Sequence, residues 1–316
     1  MKRILSLVLV LVLALSALAG CGNQDKGNTE KTYALATGVA VTETLGSSKV
    51  AATVASIVTD ADGKIVLARL DCAEYTAYKN GELVTTAPTS KVALGDAYGG
   101  SGAMPAGSFA KQAAALEAAV VGKTQSEVAA LANDTGYAKD TDLFASCSIN
   151  IADLIKAIGN AFNSKHKVTF KSTETSFTAG LSVVGAVKVT EKDATDTAPA
   201  STNVKYSATF STAVMADGKV VAAILDTAEP ELVGVTADGS NSLSYAGSKR
   251  AQGDAYDSYS PMPAGRWYAQ ADAYAQSAVG KTAANIATLA TDGVAGCTIY
   301  AGDYKAGLEA AVKAAR

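Results

Sequence analysis

Histidine is nearly missing from this chain: His166 is the only one in 316 residues. No nucleophile–base pair built on an imidazole can be assembled from it, and no ligand-spaced partners accompany it. It lies in a polar connector and reads as a solvated side chain. Cysteine is also scarce, with four in all. Behind Cys21 only Cys72, Cys147 and Cys297 remain, too widely spaced for a zinc site. Long apolar runs are confined to the first residues, so no membrane span is expected elsewhere. Charge is sparse and mildly acidic, with a formal net charge of −3. No Lys/Arg cluster interleaves with aromatics, which argues against a nucleic-acid partner. No spaced carboxylate pair or metal constellation stands out, so nothing positive supports an enzyme. An odd number of cysteines behind Cys21 leaves at least one free thiol or an intermolecular bond.

What is present begins at the N-terminus. Met1-Lys2-Arg3 precedes an uncharged apolar run over 4–19. Two positive charges before a short apolar segment that ends in small residues form the pattern of a secretory signal. The run is a little short of the roughly 20 residues a span needs. It ends Leu18-Ala19-Gly20-Cys21, which resembles the bacterial lipobox. Residues 1–20 are therefore expected to be a signal peptide, with Cys21 the acylated first residue of an extracytoplasmic lipoprotein held to the outer face of the membrane. Each buried acyl methylene adds about 0.8 kcal/mol to such an anchor. The remainder of 21–32 is polar, without apolar period, and reads as a flexible tether.

The body repeats itself. Asp62-Gly63-Lys64-Ile65-Val66 matches Asp217-Gly218-Lys219-Val220-Val221, and Leu70-Asp71-Cys72-Ala73-Glu74 matches Leu225-Asp226-Thr227-Ala228-Glu229. Gly95-Asp96-Ala97-Tyr98 and Met104-Pro105-Ala106-Gly107 recur as Gly253-Asp254-Ala255-Tyr256 and Met262-Pro263-Ala264-Gly265. Val121-Gly122-Lys123-Thr124 and Cys147-Ser148-Ile149 recur as Val279-Gly280-Lys281-Thr282 and Cys297-Thr298-Ile299. The constant order and offset describe a duplication, with repeats over 33–162 and 174–316 and a linker at 163–173. The period is too long for a solenoid, so each copy is expected to be a whole domain.

Each copy places strands first and helices last. Val204, Tyr206, Ala208, Phe210, Thr212 and Val214 alternate as a half-buried strand does. Asp217-Gly218, Asp62-Gly63 and Asn80-Gly81 are hairpin turns. Phe109, Ala113, Leu116 and Val120 fall on one helix face, as do Trp267, Ala271, Tyr274 and Ala278. Thr124-Gln125-Ser126-Glu127 has the form of a capping box. A last helix carries Leu154, Ile158 and Phe162, matched by Tyr304, Leu308 and Val312. The fold class expected is α+β, two similar domains, each an antiparallel sheet of hairpins followed by packed C-terminal helices.

The Asp-Gly-Lys-Ile-Val hairpin, the acidic residue after it, and a small-residue motif opening the terminal helix resemble the bacterial FMN-binding domain family. In that family the terminal motif reads Ser-Gly-Ala-Thr-x-Thr, and in some members the last Thr carries flavin through a phosphoester bond. The corresponding residues are Ala295-Gly296-Cys297-Thr298-Ile299-Tyr300 and Ala145-Ser146-Cys147-Ser148-Ile149-Asn150. The resemblance implies a role for the hydroxyls of Thr298 and Ser148. Tyr300 and Asn150 hold the place of the flavin-carrying Thr, so it implies non-covalent FMN, with electron transfer as the family's chemistry.

Other residues read two ways. Asp96 with Tyr98, and Asp254 with Tyr256, point polar groups into a ligand cleft beside Gln112 and Gln270, or brace a tight sheet-to-helix connection. Trp267 and Tyr274 stack on a flat ligand or pack the core. Asp153 and Asp303, in the first turn of the last helices, supply negative charge where a phosphate would sit, and Asn150 with Asp153 suits a capping box. Gly99-Gly100-Ser101-Gly102 resembles a phosphate cradle, but the second copy has Asp257-Ser258-Tyr259-Ser260 there. Cys147 and Cys297 form a disulfide if an approximate twofold passes near them, and are otherwise two small buried thiols. Two functions follow as expectations: a lipoprotein that binds flavin or another small ligand, and a structural or interaction lipoprotein of the envelope with a protein partner and no cofactor. A thiol-dependent redox role is the third.

Overall fold

Alternating apolar residues and Asp-Gly turns build the first sheet. Strands β1 (Lys31–Thr44) and β2 (Lys49–Thr59) pair antiparallel, and β3 (Ile65–Thr76) returns along β2 across Asp62-Gly63. A short ribbon follows, β4 (Tyr78–Lys79) and β5 (Glu82–Leu83), closed by Asn80-Gly81 with positive φ at both. That is what a type I′ turn requires. The helical part comprises α1 (Lys91–Leu94), a 3-10 turn at Gly95–Ala97, α2 (Phe109–Val120), α3 (Gln125–Ala129), α4 (Thr141–Ser146) and α5 (Ala152–Phe162). The expected capping box at Thr124 and Glu127 is formed. Strand β6 (Val168–Ser172) then pairs with β1 and completes the order β3-β2-β1-β6. The segment 163–173, expected as a linker, thus carries a strand. Its short Val168-Thr169-Phe170 alternation is flanked by lysines, which masks it in the sequence.

The second half repeats the order. Strands β7 (Thr178–Lys192), β8 (Ser201–Ala216), β9 (Lys219–Ala228), β10 (Glu231–Val233) and β11 (Ser242–Ser244) form one sheet. Helices α6 (Lys249–Gln252), α7 (Trp267–Gln276), α8 (Ala283–Ile286) and α9 (Gly302–Lys313) follow, with a 3-10 turn at Gly253–Ala255. These positions come from a computed structural model, which describes residues 29–316 apart from 45, 101, 103, 195–199 and 258–261. The signal segment 1–20, the lipidation position Cys21 and most of the tether lie outside the described residues, as do Ser101 and Ser258-Tyr259-Ser260. The fold is α+β, and every strand pairing among the described residues is antiparallel. No helix among them is long and apolar enough to cross a membrane.

Both sheets are covered on both faces. On β2, Val50, Ala52 and Val54 face the other sheet and share a core with Val204, Tyr206, Ala208 and Phe210. Ala55 and Ile57 point the other way, onto Leu116, Leu154 and Ile158 of the helices. In the second half, Ala213, Met215 and Leu225 meet Trp267, Ala271, Tyr274 and Leu308. The layers run helices, sheet, sheet, helices, and 31–316 form one compact unit. Burial on both faces explains the near-continuous apolar run of β2, unusual for an antiparallel strand.

The registers of the two halves correspond. The β2–β3 ladder passes from Val58↔Leu67 to Thr59↔Ile65 across a bulge, and β8–β9 from Val214↔Ala222 to Met215↔Val220. Ser56 and Thr212 therefore hold equivalent places, and their buried hydroxyls bond to each other between the sheets.

Candidate functional site

The cleft that gathers four of the candidate residues is built from α6, the start of α7, the start of α9 and the segments that lead into the last two. Ser248 caps α6 by accepting from the Ala251 N–H, which fixes the start of the helix and with it Lys249. The Lys249 ammonium lies 3.3 Å from Glu229 Oε1. It sits 4.9 Å from the Tyr256 ring centroid and 5.5 Å from that of Trp267, within cation–π reach. Burial opposes its charge, but Tyr304, Tyr256 and Glu229 outweigh burial and raise its pKa. Trp267 meets Tyr256 edge-on and Tyr304 at a tilt, each with centroids 6.1 Å apart. Together with Thr298 and Tyr300 these residues line an open cleft of about 400 Å³.

The first half repeats the arrangement. The Lys91 ammonium lies 2.9 Å from Glu74 Oε1, 4.9 Å from the Tyr98 centroid and 5.3 Å from that of Phe109. Tyr98 donates to Glu74 Oε2 at 3.1 Å. Neither lysine was anticipated as a site residue. The signal lay in Ser90-Lys91 and Ser248-Lys249, which stand at the same distance before Gly-Asp-Ala-Tyr in both copies.

The terminal motifs are held by a buried glutamine in each half. Gln270 Oε1 accepts from the Thr298 N–H at 2.7 Å and the Thr298 hydroxyl at 2.8 Å, while its amide donates to Gly265 O. Gln112 Oε1 accepts from the N–H groups of Ser148 and Ile149 and from the Ser148 hydroxyl, and its amide donates to Gly107 O. Gln112 and Gln270 are thus clamps that join the Met-Pro-Ala-Gly turn to the terminal motif. Gln270→Ala is expected to lower unfolding stability by about 2–3 kcal/mol, since it takes the partner from the Thr298 N–H and hydroxyl and leaves a cavity where a fully buried side chain stood. Urea denaturation with Gln270→Glu as a partly rescuing control measures it; an unchanged midpoint would remove the clamp.

The candidate residues divide. Thr298, Tyr300, Trp267 and Tyr256 come together. Tyr274 does not: it shares the core stripe of α7 with Trp267, is fully buried, and its hydroxyl has no hydrogen-bond partner. Asp254 faces solvent beside Arg266 and Tyr268 rather than into the cleft. Asp96 likewise pairs at the surface with Lys111 and accepts from Ser108. Both acids serve the sheet-to-helix connection, where short polar side chains find local partners. In the first half Tyr98 sits with Lys91 and Glu74, and Ser148 is held by Gln112. Asn150 accepts from the Ala152 N–H, while Asp153 accepts from Thr42 on β1 instead of closing a capping box.

Cys72, Cys147 and Cys297 are free, and the bond considered between Cys147 and Cys297 is not formed. The two lie in separate helix–sheet cores on opposite sides of the molecule's central layers. Burial raises the pKa of all three thiols, Cys147 to about 11, so the nucleophilic thiolate is suppressed. No group of His, Cys, Asp and Glu among the described residues could hold a metal ion.

Comparison with protein-family models, with curated proteins and with solved structures finds no match.

Proposed function

We propose that the chain is an exported lipoprotein, anchored through acylated Cys21, whose repeats at 33–162 and 174–316 descend from FMN-binding domains. The second repeat holds flavin, or another flat small ligand, without a covalent bond. One observation carries the reading: Thr298, Tyr300, Tyr256 and Trp267, distant in sequence, line one cleft with Lys249. Its volume of about 400 Å³ falls within the usual range for small-molecule sites, roughly 300–1,000 Å³. The faces of Tyr256 and Tyr300 suit a flat ring, and Lys249 offers a phosphate a cation. Bound flavin would supply electron transfer there; the protein's part is to bind and orient it.

Titration of the detergent-solubilised full chain with FMN, followed by fluorescence and visible spectrum, tests this. Saturable quenching with micromolar affinity or better, about 8 kcal/mol, is expected. Tyr300 is 78% exposed, so Tyr300→Ala leaves folding alone and is expected to weaken binding tenfold or more. The second reading, an envelope interaction protein without cofactor, draws support from the burial of Trp267 and Tyr274 in the core. A spectrum unchanged at high protein concentration would favour that reading and turn the search to partners crosslinked on whole cells.

A further inference from the structure

The two halves enclose a second cleft, of about 310 Å³, between β1 with the end of α5 on one side and β9 with α6 on the other. Thr37 lines it from β1. This residue is 4% exposed, and its hydroxyl has no hydrogen-bond partner. Arg250 lines the opposite wall and is 1% exposed. Its guanidinium donates from Nε and Nη2 to Leu225 O, from Nη1 to His166 O, and from Nη2 to Asp272 Oδ1 at 2.7 Å. These bonds use four of the five N–H groups an arginine carries. Lys165 adds an ammonium at the rim. Among the described residues of the lining the one carboxyl is Asp226, whose Oδ1 already accepts the N–H groups of Thr227 and Arg250. Burial raises its pKa, so its negative charge is disfavoured there. The Thr37 hydroxyl, the fifth Arg250 N–H and the Lys165 ammonium are donors that these bonds leave for a ligand.

The matching registers of the two halves supply an internal control. Thr37 pairs with Ser56 and Leu181 with Thr212, so Leu181 holds the place of Thr37 in the other half. Val92 holds the place of Arg250: each follows a Ser-Lys pair, and each donates its N–H to the equivalent aspartate, Asp71 or Asp226. Two positions that are apolar in one half are polar in the other, and both polar residues line this one cavity. A core-packing role does not require a buried hydroxyl without a partner, because leaving a donor unpaired is unfavourable.

We propose that this cleft binds a small organic carboxylate, with its oxygens taken by the Thr37 hydroxyl, the remaining Arg250 N–H and Lys165. The site is separate from the Lys249–Tyr300 cleft and does not depend on flavin binding. The test is a thermal-shift and calorimetric titration of the detergent-solubilised full chain with succinate, glutamate, inorganic phosphate and glucose, in native, Thr37→Val and Thr37→Ser forms. Succinate or glutamate is expected to raise the melting temperature saturably, and glucose to leave it unchanged. Thr37→Val is expected to melt higher than the native chain without ligand, since a methyl replaces an unpaired hydroxyl. It is expected to bind the carboxylate at least tenfold more weakly, while Thr37→Ser binds within about threefold of native, each read directly as a ratio of Kd values. A null response to both carboxylates, an equal response to glucose, a stronger response to phosphate alone, or undiminished binding by Thr37→Val would overturn the proposal.

Discussion

Alanine at Gly38 is expected to destabilise the fold by at least about 3 kcal/mol, at the upper end of what overpacking a core costs. Gly38 lies on β1, under α5. A Cβ there would overlap the Ala157 carbonyl oxygen and the Ala161 amide nitrogen, and would come within 2.7 Å of the Asn160 carbonyl carbon. All three are backbone atoms, so no side-chain rotation relieves the clash and the helix must retreat. Retreat would break the 2.7 Å bond from the Asn160 amide to Val39 O. It would also lift Ala157, Ile158 and Ala161 off the sheet, where they are fully buried. The same substitution at Gly159, in the same helix, has the opposite expectation. No atom lies within 4 Å of a Cβ at that position, and removing glycine from a helix interior stabilises by about 0.5–1 kcal/mol. Urea unfolding of the two variants should move the midpoint in opposite directions. A midpoint unmoved by Gly38→Ala would mean that α5 does not rest on β1 at this distance.

Features set by local chemistry were legible in the sequence. The alternation at Val204 to Val214, the Asp-Gly turns, the Thr124–Glu127 capping box and the helix stripes at Phe109 and Trp267 each depend on residues a few positions apart. Features set by distant approach were not. Nothing local says that Val50 and Phe210 share a core, because a strand apolar on both faces gives no sign of which face meets a helix and which meets a sheet. Strand β6 was hidden for a related reason: its few apolar residues stand among lysines, and only its pairing with β1 makes them a strand. At the candidate site, Trp267 and Tyr274 looked equivalent as members of one stripe. The fold separates them, since Trp267 lies at the start of α7 beside Lys249 and Tyr274 lies two turns along, inside the core. Of the two readings open for Asp96 and Asp254, the structure has the brace of the sheet-to-helix connection, since both meet local partners at the surface. Gln112 and Gln270, named beside them, hold the terminal motifs, a role that requires knowing that the start of α2 or α7 touches a segment some 28 to 37 residues on.

Between pH 7 and pH 5 the native chain is expected to become more stable, against the usual trend for carboxylates. Asp71 is 2% exposed. Burial, its largest influence, pushes its pKa from an ordinary 3.8 to about 6 despite the bonds it accepts from Ser90, Val92 and Cys72. A carboxyl whose folded pKa is raised binds its proton more tightly in the folded state. Its favourable contribution is fully present below the unfolded pKa near 4 and is lost as pH rises through about 6. A shift of about 2 units corresponds to about 3 kcal/mol. Asp226, the equivalent residue in the other half, is shifted in the same direction, again chiefly by burial. Below about pH 4 the trend reverses, because Asp96, Glu127 and Asp238 have pKa values lowered by their hydrogen bonds, and protonation removes that benefit. The stability maximum is therefore expected near pH 4 and not at neutrality. Asp71→Asn keeps an oxygen for the Val92 and Cys72 N–H groups and has no charge to bury. It should be more stable than the native chain at pH 7 by up to about 3 kcal/mol and show a flatter profile between pH 5 and 7. Urea midpoints measured at half-unit intervals from pH 4 to 8 decide it. Native stability that is flat or falls from pH 7 to 5 contradicts the assignment. A slope that survives in Asp71→Asn but vanishes in Asp226→Asn moves the titrating carboxyl to the other half, beside Arg250.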